Sequence, residues 1–216
     1  MTDRLVEMLF LVTGVLLPPV LGALVVMTAA TLWMLGGLAR EALDRRRVRP
    51  VWAAFLAGLK AGSGGPDAFT RLTLSGYPAR FQVWVRGAGR AGSGAGAGAR
   101  KGLDDLEIDM ARRLSWLTFA TRVGPMLGLV GTLLPLGPAL RGLASDDLAS
   151  LAENLEIAFT STVFGLLVGG LAYAAGVIRR NWYDQDLSDL EFVLDAVCPD
   201  ARPVTFESPV REPADA

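Results

Sequence analysis

The sequence predicts an all-α membrane protein with three transmembrane helices and long helical extensions on one side of the membrane. Of its 216 residues, 51% are hydrophobic, and the mean hydropathy is +0.38. Three stretches without a charged side chain are each long enough to cross a bilayer. Most of the cations lie in segments that fall on one side of these stretches. Because ordinary soluble domains are less apolar, we expect lipid to cover part of the surface.

The residue types present exclude several kinds of chemistry. The chain has no histidine and a single cysteine, Cys198. A histidine metal site, a cysteine cluster, a Ser-His-Asp triad and a disulfide framework therefore cannot form. Cys198 lies in a polar tail and is interpreted as an incidental thiol. We expect no metal, no cofactor and no enzymatic activity, and the net charge of −1 gives no reason to expect a nucleic-acid partner.

The first uncharged stretch lies between Glu7 and Arg40 and defines an N-terminal segment, 1–40, with the first transmembrane helix. It is longer than the roughly 20 residues that a spanning helix needs. A cleaved signal peptide is the alternative, but the segment before the stretch is not positively charged and the apolar run is too long. Pro18 and Pro19 are expected to kink or interrupt this helix, since proline removes a backbone donor.

The second and third transmembrane helices are predicted at 123–140 and 157–178. Charged residues bound both stretches: Arg122 and Arg141 the second, and Glu156, Arg179 and Arg180 the third. Both stretches have bilayer length. Together with flanking helical residues they define a predicted core region, 103–181.

The distribution of cations predicts the orientation, since short loops rich in Lys and Arg remain in the cytoplasm. One side carries Arg45, Arg46, Arg47, Arg49, Arg112, Arg113, Arg122, Arg179 and Arg180. The other side carries Arg4, Arg141, Asp146, Asp147 and Glu153. We therefore predict an N-terminus outside and a C-terminus in the cytoplasm.

The cytoplasmic segment 41–102 is predicted as a loop that contains a Gly-rich linker, GAGRAGSGAGAGAR. Within it, the run FQVWV is compatible either with a strand or with packing on a helix. From 103 to 121, apolar residues recur every three to four positions, which predicts an extension of the second helix into the cytoplasm.

An amphipathic cytoplasmic helix is predicted at 182–198, followed by a disordered polar tail, 199–216. The apolar stripe of this helix consists of Tyr183, Leu187, Leu190, Leu194 and Val197. Its acidic face consists of Asp184, Asp186, Asp189, Glu191 and Asp195. The acidic face is interpreted as solvated, with a docking surface for a basic partner as the alternative.

Small residues share one face of the second and of the third predicted transmembrane helix. On the second they are Thr121, Pro125, Gly128, Thr132 and Pro135, and on the third Ala158, Thr162, Gly165, Gly169, Ala172 and Gly176. Such faces let two helices approach closely, and packing alone is sufficient to explain them. The alternative is that Thr132 and Thr162 line a hydrated path, because hydroxyls bind water or a cation without a buried charge.

The stretches RVGPMLGLVGT and FTSTVFGLLVGG resemble the corresponding segments of the MotA/TolQ/ExbB channel family. Aligned on their glycines, Thr132 and Thr162 match the threonines of the family's second and third helices. Two departures are visible. The glutamate that TolQ and ExbB carry before the third-helix threonine falls on Ile157, next to Glu156, so either a bulge shifts the register or the carboxylate is missing. Pro135 and Pro138 replace a more flexible segment.

The resemblance implies the channel-forming subunit of an ion-driven motor in a bacterial or archaeal cell membrane. It implies a homopentamer around two copies of a single-span subunit of the MotB/TolR/ExbD type, whose aspartate carries H⁺, or else Na⁺. The predicted ion-pathway residues are Thr132, Thr162, Ser161 and Thr160, and the predicted packing or partner-facing residues are Pro125, Gly128, Gly131, Gly165 and Gly169. A membrane scaffold that conducts nothing is the main alternative. A solute transporter is disfavoured because the spans carry no charge and show no repeat.

Overall fold

The computed structural model describes residues 2–62, 69, 71–88 and 95–197, and it is helical. The helices are α1 (Thr2–Lys60), α2 (Gly76–Ala88), α3 (Ala95–Ala144) and α4 (Leu148–Val197). None of the described residues forms a strand. By length and composition, α1, α3 and α4 can each cross a membrane. The all-α class and the three candidate spans are therefore confirmed.

Three local expectations need correction. The run FQVWV belongs to α2, so the strand alternative is wrong. Pro18 and Pro19 do not interrupt α1, which is helical on both sides of them. The last part of the Gly-rich stretch, from Ala95, already belongs to α3, so only 89–94 of that stretch lies outside the described residues. The predicted disordered tail, 199–216, also lies outside them.

The chain divides into two compact units, and the first comprises Met1–Asp44 and Asp109–Asp184. Parts of α1, α3 and α4 form its core. The buried core residues are Met27, Leu117, Ala120, Val168, Ala172 and Ala175. Several are alanines, which let three helix backbones come close together. At the edge of this unit the buried Arg179 of α4 pairs with Glu41 of α1, with 3.5 Å between Nε and Oε2.

A tight turn joins α3 to α4 within the first unit. Asp146 adopts a left-handed conformation with φ 54°, and the Asp147 amide donates to the Gly142 carbonyl at 2.8 Å. These two features end α3 in a Schellman motif. Asp147 then begins α4 as its N-cap, since its Oδ1 accepts from the Ser150 amide at 3.1 Å. The acidic residues between the two spans thus specify a sharp helical hairpin.

The second unit comprises Arg45–Ile108 and Gln185–Ala216, and its core is aromatic. Four rings, from Trp52, Phe55, Phe69 and Phe81, pack with neighbouring centroids 5.6 to 6.3 Å apart. The buried Gln82 amide nitrogen donates to the carbonyls of Phe69 and Leu72. Buried aliphatic side chains complete the core: Leu103, Leu106, Leu190, Val193 and Leu194.

The acidic face predicted on the last helix is not uniformly solvated. Asp186 is buried and accepts two hydrogen bonds from the Arg45 guanidinium, at 2.9 and 2.5 Å. Asp189 accepts a hydrogen bond from Trp52 Nε1 at 2.9 Å. Both carboxylates therefore fix α4 to α1 inside the second unit. A carboxylate that loses contact with water needs a hydrogen-bonding partner in the protein, and Arg45 and Trp52 provide it. Asp184, Glu191 and Asp195 are exposed, as expected.

Candidate functional site

The second and third candidate spans touch at backbone distance through glycines. A methyl group placed on Gly165 would lie 2.6 Å from the Gly128 Cα and 2.7 Å from the Gly124 carbonyl oxygen. A methyl group on Gly128 would lie 3.1 Å from the Ser161 carbonyl oxygen. Only glycine fits position 165 without moving a helix, because real Cβ atoms do not approach backbone this closely. At Gly128 the neighbouring helix would have to give by a few tenths of an ångström.

The order of contacts along the two helices defines their register. Three pairs follow one another: Gly124 with Val168, Gly128 with Gly165, and Gly131 with Ser161. Residue numbers rise on α3 as they fall on α4, so the helices are antiparallel. The residue after Gly131 is Thr132, which therefore lies within about one helical turn of the level of Ser161 and Thr162.

Three of the four predicted pathway hydroxyls therefore lie at one level of the helix pair. Ser161 is the most enclosed, at 2% exposure, and its Oγ lies in the contact with Gly131. Thr132 and Thr162 are half-buried at the edges of the contact. Thr160 is exposed and lies on another face of α4, about 200° around the helix from Thr162. The structure thus separates Thr160 from the other three.

The hydroxyl protons at this level are already used within their own helices. Thr132 Oγ1 donates to the Leu129 carbonyl at 2.6 Å, and Ser161 Oγ and Thr162 Oγ1 both donate to the Ala158 carbonyl, at 2.8 and 3.3 Å. This is the back-bonding that the packing interpretation expects. It leaves the oxygen lone pairs of all three hydroxyls to accept a proton donor or to bind a cation.

The remaining predicted packing residues lie on the same contact. Pro125 packs against Gly169, where an added methyl group would lie 2.7 Å from the proline Cγ. Gly124 is absent from the predicted face of the second helix, although it approaches α4 about as closely as its neighbours. The signal for it is the spacing Gly124-x-x-x-Gly128, which pairs with Gly165-x-x-x-Gly169 on the facing helix.

Glu156 does not take the helix position of Ile157, five residues before Thr162. All of α4 is regular α-helix, so no bulge shifts Glu156 into the register of Ile157. Glu156 is exposed. No acidic residue occurs within 8–39, 123–140 or 157–178. Among the described residues, no cluster of His, Cys, Asp or Glu is suited to hold a metal ion.

These features define a multi-pass helical membrane protein in which two glycine-rich spans pack as an antiparallel pair with hydroxyls at one level. Residues 98–191 match the family described as the MotA/TolQ/ExbB proton channel family. The match covers both helices of the glycine contact. It includes every residue of the predicted ion pathway.

Two curated relatives align with parts of the chain. Biopolymer transport protein exbB1 of Vibrio cholerae is 33% identical over 88 residues, which cover 39% of this chain and 39% of the relative. A putative biopolymer transport protein ExbB homolog of Methanothermobacter thermautotrophicus is 29% identical over 86 residues, covering 39% of this chain and 31% of the relative. The chain therefore spans well under half the length of these relatives. No solved structure matches it.

Proposed function

We propose that this protein is the channel-forming subunit of an ion-motive-force-driven membrane motor. The observation that carries the proposal is that Thr132, Ser161 and Thr162 lie at one level of the glycine-packed pair of α3 and α4. This level lies within the segment matched by a family of proton channels. We place the protein in a bacterial or archaeal cytoplasmic membrane, with its N-terminus outside.

The three hydroxyls suit the wall of an ion path. Their protons bond to backbone carbonyls, so each oxygen keeps a lone pair as an acceptor. The half-buried Thr132 and Thr162 are the more accessible, because Ser161 is enclosed against Gly131. Such an oxygen accepts a hydrogen bond from a protonated carboxyl group or coordinates a cation, without the cost of burying a charge. The pathway ion is H⁺, with Na⁺ as the alternative. Thr160, on the exposed face, contributes only if a second subunit or partner packs there.

The spans carry no carboxylate of their own, so a second protein must supply the group that binds and releases the ion. We propose a single-span partner of the MotB/TolR/ExbD type with an aspartate in its helix. Five copies of this chain surround two copies of the partner. Many large apolar side chains on α3 and α4 are exposed, including Met126, Leu129, Leu133, Phe159 and Val163, and lipid or neighbouring subunits would cover them.

The assembly is tested by gentle purification of the full chain with its bound proteins, followed by native mass spectrometry. We expect a five-to-two complex with a small protein whose single span contains an aspartate. A chain that purifies alone at every membrane extraction condition would contradict the motor and support the non-conducting scaffold instead.

The role of the hydroxyls is tested by Thr162→Val, which keeps the shape of the side chain and removes its oxygen. We measure ion flux through the complex in proteoliposomes with a pH-sensitive dye. We expect the flux to fall at least about tenfold, because the ion-transfer step loses one charge-assisted hydrogen bond. Thr28→Val is the matched control, because Thr28 makes the same back-bond to Leu24 at 2.8 Å in the first span. Equal flux in the two variants would remove Thr162 from the path.

A further inference from the structure

A second polar feature of the first unit lies outside the glycine contact. A cavity of about 350 Å³ opens between α3 and α4, lined by Arg122, Thr118 and Leu117 of α3 and by Tyr173, Gly176 and Arg180 of α4. Its volume falls within the range of small-molecule sites, roughly 300 to 1,000 Å³. Two cations therefore share one groove with apolar and aromatic walls.

The two arginines of the cavity differ from their neighbour Arg179 in their pairing. Arg179 is buried and pairs with Glu41. Among the described residues, neither Arg122 nor Arg180 has an ion-pair or hydrogen-bond partner, and both are exposed. Two unneutralised guanidinium groups in one groove attract an anion, and guanidinium geometry suits a phosphate group.

The position of the cavity along the helices indicates which anion is available. Arg122 directly precedes the uncharged stretch 123–140, and Arg180 follows the uncharged stretch 157–178 within two residues. The cavity thus lies where apolar helix surface gives way to charged surface, the depth of lipid headgroups in a bilayer. Tyr173 is 63% exposed beside it, and tyrosine favours this boundary.

We propose that this cavity binds the phosphate of an anionic phospholipid, with Arg122 and Arg180 as its ligands and the apolar wall against the glycerol and upper acyl chain. Basic pockets between transmembrane helices are suited to such headgroups. The site is independent of the proposed ion path, since it lies on α3 and α4 beyond the glycine contact. It holds whether or not the protein conducts ions.

The test titrates the purified full-length protein in mild detergent with dioleoylphosphatidylglycerol or dioleoylphosphatidylcholine and counts bound lipid by native mass spectrometry. The protein should retain the anionic lipid in preference to the zwitterionic one. In Arg122→Gln/Arg180→Gln the affinity for the anionic lipid should fall about fivefold for each arginine replaced. Arg40→Gln is the control, because Arg40 is also exposed beside an uncharged stretch but lies outside the cavity.

A second variant tests the cavity apart from its charge. Gly176→Leu keeps both arginines and fills the groove, since a methyl group at Gly176 already lies 3.7 Å from Leu117 Cβ. It should also lose the anionic lipid. Gly170→Leu, at an exposed glycine of the same helix with no atom within 4 Å, should retain it.

Four outcomes would overturn the proposal, and three of them concern the lipid. The first is unchanged phosphatidylglycerol binding in the double arginine variant, and the second is equal retention of both lipids by the unmodified protein. The third is displacement of the lipid by excess inorganic phosphate, which would assign the cavity to a soluble phosphate compound. Retention of an acidic polypeptide that depends on both arginines, in place of lipid, would likewise assign the cavity to a protein partner.

Discussion

Single glycines decide how closely α3 and α4 approach. At Gly165 the space for a side chain is occupied by the backbone of Gly128 and Gly124, which cannot rotate away as a side chain can. The same helix also carries Gly170, which has no atom within 4 Å of an added methyl group. Replacing glycine by a larger residue is therefore costly at Gly165 but not at Gly170, although the two positions look alike in the sequence.

We predict that Gly165→Ala destabilises the protein by about 1–3 kcal/mol, because the added methyl group forces the two helices apart. The midpoint of thermal unfolding of the purified protein in detergent measures this effect. Gly170→Ala is the matched control and should be neutral or slightly stabilising, since alanine favours helix more than glycine does. Equal midpoints for the two variants would show that the helices do not touch at Gly165.

The three neighbouring hydroxyl residues of α4 differ in how deeply each is buried. The sequence groups Thr160, Ser161 and Thr162 as neighbours, but a helix turns by about 100° per residue and sends them to different surroundings. Ser161 enters the contact, Thr162 lies at its edge, and Thr160 is exposed. Only the register of α3 against α4 adds Thr132 to the level of Ser161.

At the scale of elements, charged residues specify how the helices end and dock. Asp146 and Asp147 close the hairpin between α3 and α4 by a left-handed residue and an N-cap. Lys101 and Asp105 pair one turn apart on α3, and the hydrogen bond that Lys101 Nζ donates to the Asp105 carboxylate raises the pKa of Lys101 above its ordinary value. In the second unit, Asp186 and Asp189 dock α4 on α1.

We predict that Asp186→Asn loosens the second unit by about 1–2 kcal/mol, allowing for the partial exposure of both partners. The neutral amide cannot form the ion pair that the Asp186 carboxylate makes with Arg45. Hydrogen exchange of the peptide 45–60 should become about five to thirty times faster. Asp195→Asn, at an exposed carboxylate of the same helix, should leave this exchange unchanged. An unchanged rate in both variants would mean that the ion pair does not hold α4 to α1.

At the scale of the whole molecule, the cation distribution predicts the orientation in the membrane. Cys198 is the single cysteine and lies beyond the last candidate span, on the side assigned to the cytoplasm. In intact cells a membrane-impermeant maleimide should leave it unlabelled, and should label it once the membrane is opened.

The control for this prediction is Ala149→Cys in a Cys198→Ala background, since Ala149 is exposed next to the hairpin between α3 and α4. This cysteine should react in intact cells. The reverse labelling pattern would place the C-terminus outside and invert the predicted topology.

The class of this protein can be predicted from its sequence alone. Charge-free stretches of bilayer length require helices, because an unsatisfied backbone is too costly in lipid, and they predicted three spans. Spacing of small residues predicted a close contact, and the two motifs with Thr132 and Thr162 indicated the family. These features are local or periodic, so one chain read along its length is enough to find them.

The packing of α3 against α4 is needed to know which of their residues meet. It places Gly124 and Ser161 in the contact and leaves Thr160 outside it. The tertiary structure also showed that Asp186 and Asp189 are docking groups and that FQVWV is helical. Arg122 and Arg180 are far apart in sequence, and the antiparallel hairpin brings them to one cavity. The reason is that periodicity gives the face of each helix but not the rotation and shift of one helix against another, which packing of the whole unit sets.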